Sequence, residues 1–370
     1  MSVRDLADYP WDAVAPFRER AAAHPDGIVD LAIGSPVDPT PEIIRRALAE
    51  ATDAHSYPQT VGTPAVREAI VDWYARRRGV PDLRVDNVLP TIGSKELVAL
   101  LPTLLGLGAG DTVVQPRVAY PTYAVGAQVA GATVVSEDDP ARWPEGAKLI
   151  WINTPGNPDG RTWTVDELAA GVRRARELGA ILASDECYAE LGWDGPWTSE
   201  PVPSVLDPRV TGGTRAGLLS VYSLSKQSNL AGYRAAFVAG CARVVGEILT
   251  ARKHLGLMPP APVQHAMAVA LHDDEHVAVQ KERYRQRRDV LRPALLDAGF
   301  RIDGSEAGLY LWVTQGRDAW ESMGALADLG ILAGPGPFYG DHSAQHVRLS
   351  LTAPLERIEA AAARLQGVAS

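Results

Sequence analysis

Between residues 88 and 240 the chain alternates short apolar runs with helical segments, and this alternation restricts the fold more than any other feature. The runs are "NVLPTIG", "DTVVQP", "ATVVSE", "AKLIWINTP", "AILASDE", "GLLSVY" and "AAFVAG". Most are apolar at successive positions, as strands covered on both faces must be. Segments with helical spacing lie between them, such as "SKELVALLPTLLGLG", "YPTYAVGAQVAG" and "TVDELAAGVRRARELG". Strands separated by helices predict an α/β fold with a mostly parallel, seven-stranded sheet. Upstream, "TPEIIRRALAEATDA" and "TPAVREAIVDWYARRRGV" each read as a helix with an N-cap threonine (Thr40 and Thr63) and a proline in the first turn. After residue 240 a helical stretch over 242–300 leads to "RIDGSEAGLYLWV", "GILAGPGPFYG" and "QHVRLSLT", which predict a small α+β unit. The segment "IVDLAIGSP" needs a sheet partner, so the N-terminal residues are assigned to that unit. The expected division is a large domain at 41–289 and a small domain made of 1–40 and 290–370.

Charge and composition narrow the functions open to such a fold. The net charge is −9 in a chain of 370 residues, which argues against nucleic acid and anionic membranes as partners. The basic segment "KERYRQRRDVLR" at 281–292 also carries acids and reads as a solvated helix face. The longest uncharged run, "LVALLPTLLGLGAG", is too short to span a bilayer. The N-terminus "MSVRDLADYPWD" lacks the apolar stretch of a signal peptide. Cys187 and Cys241 offer neither a disulfide framework nor metal-ligand spacing. Together these point to a cytoplasmic protein that acts on small molecules, with no metal.

Open α/β sheets bind ligands beyond the carboxyl ends of their strands, and the unusual polar residues collect there. "AILAS" ends in Asp185, with Glu186 and Tyr188 close behind. "LIWIN" leads into "TPGNPDG", which carries Asn157. "NVLPTIG" runs into Ser94 at a helix start, where free N–H groups suit a phosphate. "GLLSVY" is followed by Ser223, Lys226 and Arg234. Lys226 lies between two apolar runs, where burial depresses the pKa of an amine and makes it a good imine former. A reactive lysine, a carboxylate for a ring nitrogen, Asn and Tyr donors for a ring oxygen and a phosphate cradle fit one cofactor, pyridoxal 5'-phosphate. "GLGAG" at 106–110 follows a helix and precedes a strand, the wrong order for a dinucleotide loop.

The motifs "GSK", "AYPTY", "NTPGNPDG", "SDECY", "SLSKQSNLAGYR" and "VRLSL" then identify a resemblance, over nearly the whole chain, to the class I/II aminotransferases of PLP-dependent transferase fold type I. The resemblance implies that Lys226 carries the cofactor and that Asp185 meets its ring nitrogen. Asn157 and Tyr188 would approach the ring oxygen, and Tyr120 would stack on the ring. Gly93, Ser94 and Lys95, with Ser223 and Arg234, would surround the phosphate. Arg348 would grip the substrate α-carboxylate beside the Gly34 backbone and Asn157. Tyr57 resembles the tyrosine that reaches the neighbouring subunit's phosphate, which implies a homodimer. The loop "NTPGNPDG" departs from the usual pattern, with Thr154 in place of a proline and Asp159 in place of a threonine.

Longer stretches, among them "LPTIGSKELVALLPTLLGLGAGD", "PAPVQHAM" and "EAGLYLW", are similar to the actinobacterial N-succinyldiaminopimelate aminotransferases of lysine biosynthesis. That implies amino-acid and 2-oxo-acid substrates, with glutamate as donor. Arg117, Gln227, Lys253 and His254 are the candidates for the distal end of the substrate. A transaminase for aspartate or an aromatic amino acid, or a carbon–sulfur lyase, would use the same core residues. A ligand-binding regulator on this fold would need a DNA-binding module, for which the residues before the fold leave no room.

Overall fold

The computed structural model describes residues 10–369. Residues 1–9 and Ser370, which the sequence assigns to the small unit, lie outside the described residues. The large sheet has seven strands: β1 (Val88–Ile92), β2 (Thr112–Gln115), β3 (Thr133–Ser136), β4 (Ala147–Asn153), β5 (Ile181–Asp185), β6 (Leu218–Ser223) and β7 (Ala235–Gly240). Their order is β1-β7-β6-β5-β4-β2-β3. β7 runs antiparallel to both its neighbours and the other pairs are parallel. In-register pairing sets Asn153 beside Asp185 and Asp185 beside Val221. The carboxyl ends of β4, β5 and β6 therefore open onto one rim.

Each central strand feeds two cores because its side chains alternate between faces. In β4, Ile150 and Ile152 join the core around Trp73, Tyr74, Tyr222 and Phe237. Leu149 and Trp151 join the opposite core with Leu97, Tyr123 and Val238. The unbroken apolar run Leu149–Ile152 is thus required by two covered faces. A third core combines Val14, Val29 and Leu31 with residues from Tyr284 to Leu365, and also takes in Tyr188 and Leu191. Within it, Val29–Asp30 pairs parallel with Ile331–Leu332, which gives the N-terminal segment its sheet partner. Tyr310–Thr314 pairs antiparallel with His346–Ser350. Among the described residues no helix is long and apolar enough to cross a membrane.

Two local expectations are corrected. The helix Glu42–Glu50 has Pro41 at its N-cap position, with no side-chain cap. Thr40 instead donates from Oγ1 to the Asn229 carbonyl, 3.1 Å away, and ties the N-terminal segment to the turn after Lys226. Thr63 does cap its helix, accepting from the Val66 N–H.

The basic segment 281–292 is only half solvated. It lies in the helix Glu275–Asp297, whose other face carries buried His276, Gln280, Tyr284, Arg287 and Arg288. These positions recur at three- or four-residue spacing, so they share one face. His276 contacts Ser228 Oγ at 2.8 Å, Gln280 accepts from Asn229 Nδ2 at 2.8 Å, and Tyr284 donates to the Lys226 carbonyl at 3.2 Å. Arg287 forks onto both oxygens of Asp38 at 2.8 and 2.5 Å. Burial alone would raise the Asp38 pKa, and the Arg287 and Gln280 hydrogen bonds outweigh it and hold it below the ordinary value. One polar stripe therefore fixes both the lysine turn and the N-terminal segment facing it. Composition cannot distinguish such a stripe from a wet surface, because both are built from the same residue types.

Candidate active site

The rim residues converge on one cleft. Lys226 lies in the short helix Leu224–Gln227, which begins where β6 ends. Ser223 caps that helix, accepting from the Ser225 N–H at 3.1 Å and donating to Ser225 Oγ at 2.8 Å. The Lys226 ammonium donates to the Gly34 carbonyl. Burial pushes its pKa below the ordinary lysine value; the Arg348 and Arg234 charges add to that depression, and Tyr310 opposes it. A fraction of neutral amine available near pH 7 is what nucleophilic and general-base work requires of a lysine.

Asp185 is the last residue of β5 and is 7% exposed. Its carboxylate accepts from the Tyr123 hydroxyl at 2.9 Å and from the Cys187 N–H at 3.2 Å. Burial raises its pKa. Neither hydrogen-bond donor is cationic, and a buried carboxylate so placed gains from a protonated ring nitrogen. Tyr123 was not foreseen as a site residue. It stacks on Trp151 at 4.9 Å, so the core beneath the sheet orients the acid above it. The repeated tyrosine of "AYPTY" was the available signal.

The phosphate cradle forms at the start of the helix Ser94–Leu104, where Gly93 is the N-cap residue with φ +74°. A Cβ at Gly93 would fall 2.3 Å from the Arg234 guanidinium. Free N–H groups, a helix dipole and an arginine thus share one small space, which suits a phosphate dianion. Arg234 is exposed and Lys95 points outward, so the contribution open to Lys95 is its backbone. Cys187 links the two ends of the cleft, with its thiol against Ser94 and Asp185 and within range of the Lys226 charge. The lysine, acid and phosphate cradle offer the chemistry that pyridoxal phosphate's aldehyde, ring nitrogen and phosphate require.

Arg348 closes the other end and is 4% exposed. It donates to Asn157 Oδ1 at 2.8 Å and to the Ala32 carbonyl at 2.7 Å. Its guanidinium lies 4.0 Å from the Tyr310 ring centroid and 5.0 Å from that of Tyr339. Tyr188 meets Tyr310 hydroxyl to hydroxyl at 3.2 Å. Tyr120 is partly buried, and burial pushes its phenol up to about 12. Gly34 has no room for a side chain, because a Cβ there would lie 2.2 Å from the Tyr310 hydroxyl. Tyr310 and Tyr339 were missed as site residues; each looks in sequence like one more core aromatic.

Local hydrogen bonds, two of them to its substituted residues, hold the altered loop. Thr154 Oγ1 accepts from the Trp163 N–H at 2.9 Å, Asp159 accepts from the Arg161 N–H at 3.2 Å, and Asn157 is anchored to Asn153 by a 2.7 Å bond. The distal candidates fare differently. Arg117 is paired with Glu137 at 3.1 Å. Gln227 is buried and accepts from Tyr222 at 2.6 Å. Lys253 and His254 are exposed at a helix end. Tyr57 is 97% exposed, and no hydrogen bond or ring contact holds it within the described residues of its own chain.

A twisted α/β sheet with a half-buried lysine, a buried acid and a phosphate cradle at the ends of its strands defines a PLP-dependent enzyme of fold type I. The family described as "Aminotransferase class I and II" matches residues 26–365, and the chain belongs to that family. It is 53% identical over 364 residues to the 4-dedimethylamino-4-oxo-anhydrotetracycline transaminase OxyQ of Streptomyces rimosus, covering 98% of this chain and 100% of the relative. It is also 53% identical over 361 residues to a probable aminotransferase of Mycobacterium tuberculosis, covering 97% of this chain and 85% of the relative. A solved structure of a probable N-succinyldiaminopimelate aminotransferase from Thermus thermophilus superposes with a TM-score of 0.87 at 28% identity, covering 97% of this chain and 99% of that one.

Proposed function

We propose that the protein transfers an amino group from N-succinyl-LL-2,6-diaminopimelate to 2-oxoglutarate, reversibly, giving N-succinyl-2-amino-6-oxopimelate and glutamate. The observation that carries an α-amino-acid substrate is Arg348, a buried guanidinium beside Asn157 and the cofactor lysine. Its inward fork is free to exchange the Ala32 carbonyl for a carboxylate, which is a better acceptor for bidentate binding. The succinylated substrate is supported by the sequence similarity to the actinobacterial enzymes and by the Thermus neighbour.

When bound, pyridoxal phosphate supplies an electron sink for the charge that develops at the substrate α-carbon. The chain's residues do the rest. Arg348 and Asn157 hold the carboxylate and so fix which α-carbon bond faces the sink. Asp185 would keep the ring nitrogen protonated. Lys226 would anchor the cofactor and, as a free amine, move the proton of the substrate α-carbon. Ser94, Ser223, Arg234 and the Gly93 and Lys95 backbone would hold the phosphate. Tyr120 would cover one face of the ring.

A second reading has an observation of its own. Tyr310 and Tyr339 lie against the arginine through their rings, Tyr188 meets Tyr310 hydroxyl to hydroxyl, and Tyr188 and Tyr120 lie within range of the arginine's charge. Such walls also suit a flat aromatic acceptor like the one in the Streptomyces relative's name. A donor and acceptor panel decides between them. The succinyl compound is expected to exceed free diaminopimelate by at least ~10²-fold in kcat/KM, because a site that hydrogen-bonds the succinyl group would leave its donors unpaired with the unsuccinylated substrate. A higher kcat/KM with free diaminopimelate, aspartate, an aromatic amino acid or a polycyclic ketone sinks the succinyl assignment. Arg348→Gln is expected to raise KM for every α-amino acid tested.

Among the described residues Tyr57 has no hydrogen-bond or ring partner, and we infer that it reaches the phosphate of a second subunit across an isologous dimer. Mixing Tyr57→Phe chains with Lys226→Ala chains would then restore one intact site per heterodimer. Absence of recovered activity, with subunit exchange confirmed, counts against the shared site.

A further inference from the structure

Tyr310 lies where three functional groups of the cleft meet. It begins the strand Tyr310–Thr314, two residues from Trp312, which pairs with Arg348 on the adjacent strand. Alternation puts Tyr310 and Arg348 on the same face, and the guanidinium rests 4.0 Å above its ring. Its hydroxyl is 3.2 Å from that of Tyr188. The hydroxyl occupies space that exists only because residue 34 has no side chain. Gly34 is also the residue whose carbonyl Lys226 holds. A phenylalanine would fill the same volume and pack as well, so packing does not account for the hydroxyl.

Either hydroxyl of the tyrosine pair is able to donate. Each phenol has one proton, so a Tyr188 that gives its own to a ring oxygen can only accept from Tyr310. The Arg348 and Lys226 charges beside Tyr310 favour that donation, whereas burial pushes the Tyr188 phenol up. A hydroxyl that accepts one hydrogen bond is polarised into a stronger donor for the next.

We propose that Tyr310 is a positioning residue whose hydroxyl acts through Tyr188 to strengthen the hydrogen bond given to the cofactor's ring oxygen. The inference rests on the reading that Tyr188 contacts that oxygen. The groups facing Tyr310 from the surrounding elements are Lys226, Arg348, Tyr188, Tyr120, Tyr339 and Tyr284. Two are cations, and the rest are phenols that stay neutral through the assay range. A stronger donor stabilises negative charge on the ring oxygen and weakens that oxygen's hold on the proton it shares with the lysine-linked nitrogen. Losing the Tyr310 hydroxyl therefore moves the proton loss to higher pH.

The test is a pH titration of the cofactor's absorbance in purified holoenzymes, with cofactor stoichiometry checked for each. Tyr310→Phe is expected to raise the midpoint by roughly 0.5 to 1 pH unit. Its KM for glutamate should change less than about threefold, because the ring under Arg348 is kept. Tyr188→Phe should raise the midpoint further. The double variant should match Tyr188→Phe alone, since a residue acting only through Tyr188 adds nothing once the Tyr188 hydroxyl is gone. An unchanged midpoint in Tyr310→Phe beside a shifted one in Tyr188→Phe overturns the Tyr310 proposal and leaves the Tyr188 reading standing. Additive shifts overturn it as well, because Tyr310 would then act independently. No shift in either variant removes the Tyr188 contact, and the Tyr310 proposal with it.

Discussion

Lys226→Ala is expected to lower transamination by at least ~10⁴-fold, the upper range for loss of a positioned acid–base group. The expectation follows from the place of this amine. It sits on a one-turn helix capped by Ser223 and held from behind by Tyr284. Burial lowers its pKa, which favours the neutral amine over what an exposed lysine would offer. On the proposed assignment the substitution removes both the cofactor's covalent anchor and the base that moves the substrate proton. Borohydride reduction followed by peptide mapping should find the label at residue 226 in the wild-type protein and at no residue in the variant. A label on Lys95 or any other lysine would contradict the assignment, and so would near-normal turnover.

Asp185→Asn is expected to retain cofactor and to lose about 10²–10³-fold in kcat, by analogy with the removal of one preorganised charge partner elsewhere. The amide still fits beneath Tyr123 and the Cys187 N–H, so the fold should tolerate it. It cannot carry the negative charge that keeps a ring nitrogen protonated. Single-turnover rates with glutamate, read beside the cofactor content, separate the two effects. A kcat within tenfold of wild type would mean that another group holds the ring nitrogen.

The placement of the rim residues was legible because it is tied to strand ends. An apolar run followed by Asp185, by Asn157 or by Lys226 locates each residue on the rim without knowledge of strand order, since parallel strands deliver their carboxyl ends to the same side. Tyr123, Tyr310 and Tyr339 were not legible as site residues. An aromatic in an apolar run carries the same local signal whether it fills a core or lines a cleft. Only the packing shows Tyr123 under Asp185 and Tyr310 between Lys226 and Arg348. The buried stripe of the helix Glu275–Asp297 is a similar case, for Arg287 turns inward only because Asp38, 249 positions away, meets it.

The sequence by itself determined the alternating α/β architecture, the seven strands, and a family membership carried by motifs of fixed local spacing. These features are local in the chain, where periodicity and short motifs act. The tertiary structure alone decided that β7 runs antiparallel between β1 and β6, and that Val29–Asp30 finds its partner at Ile331–Leu332. It also decided that four tyrosines gather around one arginine. Those outcomes depend on contacts between residues far apart in sequence, which are set by which faces can be covered together once the chain has collapsed.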